Sequence, residues 1–291
     1  MWLNFSKIEI MILEWLCEGS ASPGELTVSL GKKNSFISRA LGKLIEKGMA
    51  SKSGHAVSLS ASAHAQGFKK LYDTRPNAKI ENWLCGSSMD VLIALADFES
   101  GVEPETLARE IDCSKPTMFK ILKLLYGVGV ASKLGSRVLI GDAFVRDFAE
   151  SYANSLQQLL VSRAHGHNVS IRVRKNVVVR TDAKEVPSFF SETGINALAG
   201  LGLAATKTSY NDYTFNLGMT VAKVGAEEAF VHALLLTTIQ QHQDKTVLAL
   251  FLMKNRGRLS IAQLRKLAKE YHVEGELATM RQALDYAEKA G

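Results

Sequence analysis

The phrase GMASKSGHAVSL at residues 48–59 has an echo 81 positions later, GVASKLGSRVLI at residues 129–140. Sliding the chain over itself by 81 residues pairs Ser6 with Ser87, Ile12 with Ile93, Glu18 with Glu99, Pro23 with Pro104, Leu26 with Leu107, Leu41 with Leu122 and Leu44 with Leu125, without a gap. The period is too long for a solenoid repeat and suits one small domain, so the first half of the chain reads as two copies of one folding unit. At 291 residues there is room for two or three domains, each with a core of its own.

The order of signals is the same in both copies. In SKIEIMILEWLC a Ser that can cap precedes Ile8, Ile12, Leu13, Trp15 and Leu16 at helical intervals. Ser22-Pro23 then opens a second, short helix that ends near Gly31. KKNSFISRALGKLIEKG places Ile37, Leu41, Leu44 and Ile45 on one face and Lys33, Ser35, Ser38, Arg39 and Lys43 elsewhere, with Gly48 as the stop. The echoed phrase alternates around a Gly turn and reads as a two-stranded hairpin. Three short helices and a hairpin make a winged helix. In the second copy Ser87 to Phe98, Pro104 to Ile111, Ser114 to Tyr126 and Val130 to Ile140 supply the same parts.

Residues 34–52, NSFISRALGKLIEKGMASK, resemble the recognition helix and wing entry of MarR-like winged-helix transcription regulators, where a Ser-Arg pair leads an amphipathic helix ending in Lys-Gly and then a strand. The resemblance covers about the first 75 residues and implies DNA binding. The second copy has Phe119-Lys120 in place of Ser38-Arg39, a departure that bears on base reading and not on fold.

Hydroxyl, amide and guanidinium groups near the amino end of a helix can reach base edges or phosphates in the major groove. Asn34, Ser35, Ser38 and Arg39 have the types and spacing for this; Lys32, Lys33 and Lys43 would flank the duplex backbone, with Lys52 and His55 at the wing. Lys115, Thr117, Lys120, Lys123, Lys133 and Arg137 occupy the corresponding face of the second copy. The net charge of +6 is spread unevenly: 11 basic against 6 acidic residues over 1–80, 8 against 11 over 81–167, and 16 against 12 over 168–291. The first copy is therefore expected to be the principal DNA reader and the second to assist it or to mediate pairing. The bland alternative is a solvated helix face on a protein-interaction module.

After the second hairpin, Phe144, Phe148, Tyr152, Leu156, Leu159 and Leu160 form a helical stripe that needs a partner surface, either its own copy or the matching helix of a homodimer. The repeat ends near Arg163-Ala-His-Gly-His-Asn168, which reads as a polar linker, since His165 and His167 have no further ligands nearby. Beyond it, Ser170–Thr181 suggests strands with exposed basic residues, among them Arg172, Arg174, Lys175 and Arg180; residues 186–203 look mainly helical, 210–224 look like strands around a turn, and three or four amphipathic helices follow from Ala226. The expected organisation is thus α+β and helix-rich: two tandem winged helix-turn-helix domains at 1–76 and 82–165, then a small α+β domain with a helical tail at 168–291.

Chemistry is not written into this pattern. Gly200-Leu-Gly-Leu-Ala-Ala205 fits GxGxxA but follows a helical stretch where a dinucleotide fingerprint needs a strand. There is no GxxxxGK[ST] loop, HExxH or GxSxG. Cys17, Cys85 and Cys113 are far apart and are expected to be reduced and buried. Neither enzyme activity, a metal nor a cofactor is expected. With no apolar run near about 18 residues and no signal-like amino terminus, a cytoplasmic location without membrane contact is expected. Thr193 to Leu203, with Ala226-Glu-Glu-Ala-Phe-Val-His-Ala-Leu234, also looks like the carboxy-terminal part of AbiEi-like antitoxins. That resemblance implies an antitoxin or adaptor acting with a nucleotidyltransferase-like partner. The transferase motif itself, Gly-Ser followed by Asp-x-Asp, is absent from this chain.

Overall fold

In a computed structural model that describes residues 3–76, 78–203, 209–219, 223–240 and 245–290, the 81-residue period is visible in the backbone itself. The first copy runs α1 (Lys7–Glu18), α2 (Pro23–Leu30), α3 (Asn34–Glu46), β1 (Ala50–Ser53), β2 (Ala56–Leu59) and α4 (Ala63–Thr74). After a single 3-10 turn at Ile80–Asn82 the second runs α5 (Ser88–Ala96), α6 (Pro104–Glu110), α7 (Lys115–Gly127), β3 (Ala131–Leu134), β4 (Arg137–Ile140) and α8 (Ala143–Val161).

Local chemistry fixes these boundaries. Ser6 and Ser22 each accept a hydrogen bond from the backbone N–H three residues on, while Glu9 and Glu25 accept from the backbone N–H groups of Ser6 and Ser22, two complete capping boxes. Pro23 and Pro104 occupy the first turns of α2 and α6, where a missing N–H costs nothing. The hairpins share one register, Ala50 opposite Leu59 and Ala131 opposite Ile140, and each gains an extra bridge from the segment before its second helix, Ala21 to Val57 and Val102 to Val138. Gly54 and Gly135 turn the two hairpins with φ of 60° and 62°, a conformation that a side chain resists.

The periodic apolar faces become cores. Ile37, Leu41 and Leu44 of α3 are buried with Leu13 and Leu26, but Ile45, expected among them, is exposed. Its position at the end of α3 carries it past the packed face. The aromatic part of the α8 stripe is covered within the first unit: Phe148 lies 5.7 Å from the Phe68 ring, Tyr152 lies 4.9 Å from Phe5, and the Tyr152 hydroxyl donates to the Leu3 carbonyl at 2.9 Å. Of the stripe, Phe148, Tyr152 and Leu156 are buried, Leu159 is half-buried and Phe144 is exposed.

The chain divides into two compact units, Met1–Leu159 and Leu160–Gly291, so both copies belong to the first. The second unit holds an antiparallel sheet in the order β5 (Asn168–Val173), β6 (Asn176–Thr181), β8 (Asn211–Asn216), β7 (Ser191–Glu192), with α9 (Gly194–Ala199) between β7 and β8. Four helices follow, α10 (Ala226–Gln240), α11 (Lys245–Lys254), α12 (Ile261–Glu270) and α13 (Glu274–Ala290). Every residue from Ala229 to Thr237 is buried, so α10 is the central helix, packed with Phe251, Leu264, Leu277 and the sheet residue Val178.

Three expectations change here. Residues 186–203 are mostly not helical, because Phe190 stacks on Phe215 at 4.7 Å and its segment crosses the sheet before the six-residue α9. Residues 211–216 form one strand, and 220–222 lie outside the described residues. Cys17 is buried while Cys85 and Cys113 are half-exposed, all three as free thiols. Among the described residues no helix is long and apolar enough to cross a membrane.

Candidate nucleic-acid interface

The amphipathic pattern of α3 sorts its side chains cleanly. Ile37, Ala40, Leu41 and Leu44 are buried, and Asn34, Ser35, Phe36, Ser38, Arg39 and Lys43 are exposed. Ser38 Oγ donates to Asn34 Oδ1 at 3.3 Å, which holds two of these polar groups one turn apart on the same outer face. Unlike α1 and α2, α3 has no side chain capping its first turn, so N–H groups and the positive end of the helix dipole face solvent. Lys32 and Lys33 stand exposed beside this end.

Among the described residues, no ion pair engages Lys32, Lys33, Arg39, Lys43 or Lys52. Their charge is therefore available to an outside anion. A cavity of about 560 Å³ lies at the foot of α3, with Ile8, Met11, Leu30 and Phe36 as apolar lining and Lys7, Lys32, Arg39 and Lys43 as cations. Lys7 is absent from the sequence-predicted set, because at the start of α1 it carries no local signal linking it to α3. At the tip of the β1–β2 hairpin Lys52 and His55 are both exposed.

The second copy puts different chemistry on the same frame. Lys115, Thr117, Lys120, Lys123, Lys133 and Arg137 are all exposed. Lys115, however, is paired with Glu105 at 2.7 Å, and the Thr117 hydroxyl lies 2.9 Å from Ser114 Oγ at the helix cap. Lys133 Nζ sits 5.3 Å from the Tyr126 ring centre, at the edge of a cavity of about 540 Å³ that also contains Phe119, Lys123 and Val138. Phe119 is 55% exposed and Phe36 of the first copy 52%, both on the outer faces of their helices.

In the second unit the expectation of exposed basic strand residues is corrected at Arg180. Its guanidinium is buried and donates to Asp212 at 2.6 and 2.8 Å. The strand register aligns Arg180 with Asp212 on neighbouring strands, and burying either charge alone would be prohibitive. Arg172, Arg174 and Lys175 are half-buried; Arg172 donates to the Arg174 carbonyl at 2.7 Å, and Arg174 lies 3.8 Å from Glu270. His167 Nδ1 lies 3.0 Å from Asp182 Oδ2, and no group of three His, Cys, Asp or Glu that could hold a metal occurs among the described residues. Gly200–Leu203 follows α9, and Ala204 and Ala205 of the GxGxxA match lie outside the described residues, as does His242.

One buried polar group has a pH consequence. His232 is fully enclosed on α10, with Nδ1 2.8 Å from Thr193 Oγ1 and its ring edge-on to Tyr271 at 4.6 Å. Nε2 has no hydrogen-bond partner, and Glu228 Oε1 stands 3.9 Å away. Burial pushes the imidazole down to about 3, while burial and then Glu270 push the Glu228 carboxyl up. His232 is thus neutral when folded but takes a proton near pH 6.5 when unfolded. Its contribution is complete above about pH 6.5 and falls by up to about 1.4 kcal/mol per pH unit as the pH drops towards its folded value, with Glu228 opposing part of this loss. Urea unfolding of the native chain between pH 7 and 5 is expected to show this slope, and His232→Gln a shallower one. Equal slopes would remove His232 as its origin.

No protein-family model matches the sequence, and a comparison with curated proteins gives no match.

Proposed function

We propose that the chain is a sequence-specific, double-stranded-DNA-binding transcription regulator, with α1–β2 and α5–β4 acting as tandem winged helix-turn-helix units. The observation that carries this reading is the outer face of α3, where Asn34, Ser35, Ser38 and Arg39 project into solvent between Lys32, Lys33 and Lys43 while the opposite face is buried. A helix so decorated fits the major groove, about 12 Å wide, where Arg recognises guanine and Asn recognises adenine through paired hydrogen bonds. The flanking lysines neutralise phosphates, and Lys52 with His55 on the hairpin reaches the adjoining backbone or minor groove. The second copy adds Lys120, Lys123, Lys133 and Arg137.

The test is an electrophoretic shift on the DNA upstream of the chain's own gene, with unrelated duplex as competitor, at 50 and 200 mM salt. Preferential binding that weakens steeply with salt is expected. No binding to duplex even at the lower salt would overturn the reading.

A second reading, an antitoxin-like adaptor for a nucleotidyltransferase-like protein, is favoured by the apolar side chains left open on the same units. Val28 is 83% exposed, and Phe36, Phe119 and Leu134 each exceed half. Under it, Val28→Ser on α2 abolishes partner binding and leaves any duplex affinity unchanged.

A further inference from the structure

Two copies of a domain in one chain can be arranged head to tail or about a two-fold axis, and the contacts between them distinguish the two. In a two-fold arrangement the same patch of each copy meets itself, and every contact from i to j has a counterpart from j to i. A head-to-tail arrangement joins two different patches.

The contacts inside the first unit are of the two-fold kind. The segment before α1 pairs with the segment before α5, its own equivalent: Phe5 and Cys85 form a parallel bridge, and the Gly86 N–H donates to the Phe5 carbonyl at 2.9 Å. Helix α4 packs on its equivalent α8. Gly67 and Phe148 correspond under the 81-residue shift, and a methyl group at Gly67 would lie 3.7 Å from the Phe148 Cα. Beyond the end of α4, Arg75 donates to the Val128 carbonyl at 2.9 Å, in the turn after α7. In the matching region of the other copy, Leu159, three residues past the equivalent of Arg75, lies against Gly48, the residue after the equivalent of Val128, where an added methyl would meet its Cδ1 at 3.3 Å. Even the acidic positions match, since Glu9 and Asp90 are equivalents and both act on the buried Tyr152 hydroxyl.

We infer that the two copies form a built-in dimer, so that one chain presents α3 and α7 to an inverted pair of unlike DNA half-sites. The inference rests on the DNA-binding reading above and adds the form of the target. Two-fold-related helices read inverted half-sites, because the duplex has dyads of its own, whereas head-to-tail units read direct repeats. The half-sites differ because the helices do: Asn34, Ser35, Ser38 and Arg39 of α3 correspond to Lys115, Pro116, Phe119 and Lys120 of α7. The first set offers paired hydrogen bonds to bases. The second offers a point charge and an exposed aromatic ring suited to a thymine methyl group.

The test is selection by the full chain from a duplex library with 40 random base pairs, followed by sedimentation of the complex with the selected duplex. One chain per duplex is expected, on two unlike motifs in opposite orientation. Phe119→Ala should relax only one motif and Arg39→Ala only the other, each lowering affinity for the full site by about tenfold or more. Both side chains are exposed, so neither change threatens the fold. A true palindrome holding two chains, a direct repeat, or a single motif indifferent to Phe119 would overturn the built-in dimer and leave DNA binding intact. If no sequence is enriched and no duplex is bound at low salt, the DNA-binding reading falls and this inference with it.

Discussion

Replacing Arg39 and Lys43 together by Ala is expected to weaken binding to the preferred duplex by about 100-fold at low salt, equivalent to about 2.7 kcal/mol. A paired Arg–guanine contact accounts for about 1–3 kcal/mol of that discrimination. A lost phosphate contact lowers the slope of log affinity against log salt by about 0.9. Neither side chain packs in the core and neither is held in an ion pair among the described residues, so unfolding should shift by less than about 0.5 kcal/mol. A basic pair on the matching face of α7, Lys120→Ala with Lys123→Ala, should cost closer to tenfold, because a Lys is a point charge without a fork. Nearby Lys115 is already neutralised by Glu105. A salt titration of both double variants measures the difference. Equal losses, or a loss from the α3 pair that does not depend on salt, would place the contact elsewhere.

That face was legible from sequence because its signals are local. Helical spacing separates Ile37 and Leu41 from Ser38 and Arg39, and the 81-residue echo transfers each assignment to the second copy. The transfer extends to backbone strain: Gly31 and Asp112 correspond, and both adopt a left-handed φ, of 59° and 53°. What could not be read is whatever depends on residues distant in the chain. The stripe of α8 announces that Phe148 and Tyr152 need cover, but nothing near them names Phe68, Phe5 or the Leu3 carbonyl. The same limit hid the fusion of the two copies into one unit, since Arg75 reaches Val128 across 53 positions. In the second unit residues 186–203 read as mainly helical, yet Phe189 and Phe190 serve as a ring cluster on the sheet with Phe215. An alternating basic strand likewise suggests solvent for Arg180 until Asp212 is placed beside it.

Replacing Asp212 by Ala is expected to destabilise the second unit by about 3–5 kcal/mol, because it leaves the Arg180 guanidinium charged and enclosed. The carboxylate is used on more than one side. Oδ1 accepts from Arg180 Nε, and Oδ2 accepts from Arg180 Nη2 at 2.8 Å and from the Ile195 backbone N–H at 3.1 Å, at the start of α9. The Asp212 backbone accepts from Thr193 N–H at 3.0 Å and donates to Asn196 Oδ1 at 2.9 Å, so one residue joins β6, β8 and α9. Gly194 allows the approach. Its φ is +55°, and a methyl group there would intrude on the Asp212 carboxylate. Removing both charges, as in Arg180→Met with Asp212→Leu, should recover most of the loss, since an apolar pair of similar volume avoids the desolvation of two ions. The Ile195 N–H would still lack its acceptor, a residual cost of about 1–3 kcal/mol. Denaturant unfolding of the full chain, with amide exchange on β6 and β8 reporting this unit, separates the terms. If Asp212→Ala costs under about 1 kcal/mol, another group or water compensates Arg180, and the ion pair is not what closes the sheet against α9.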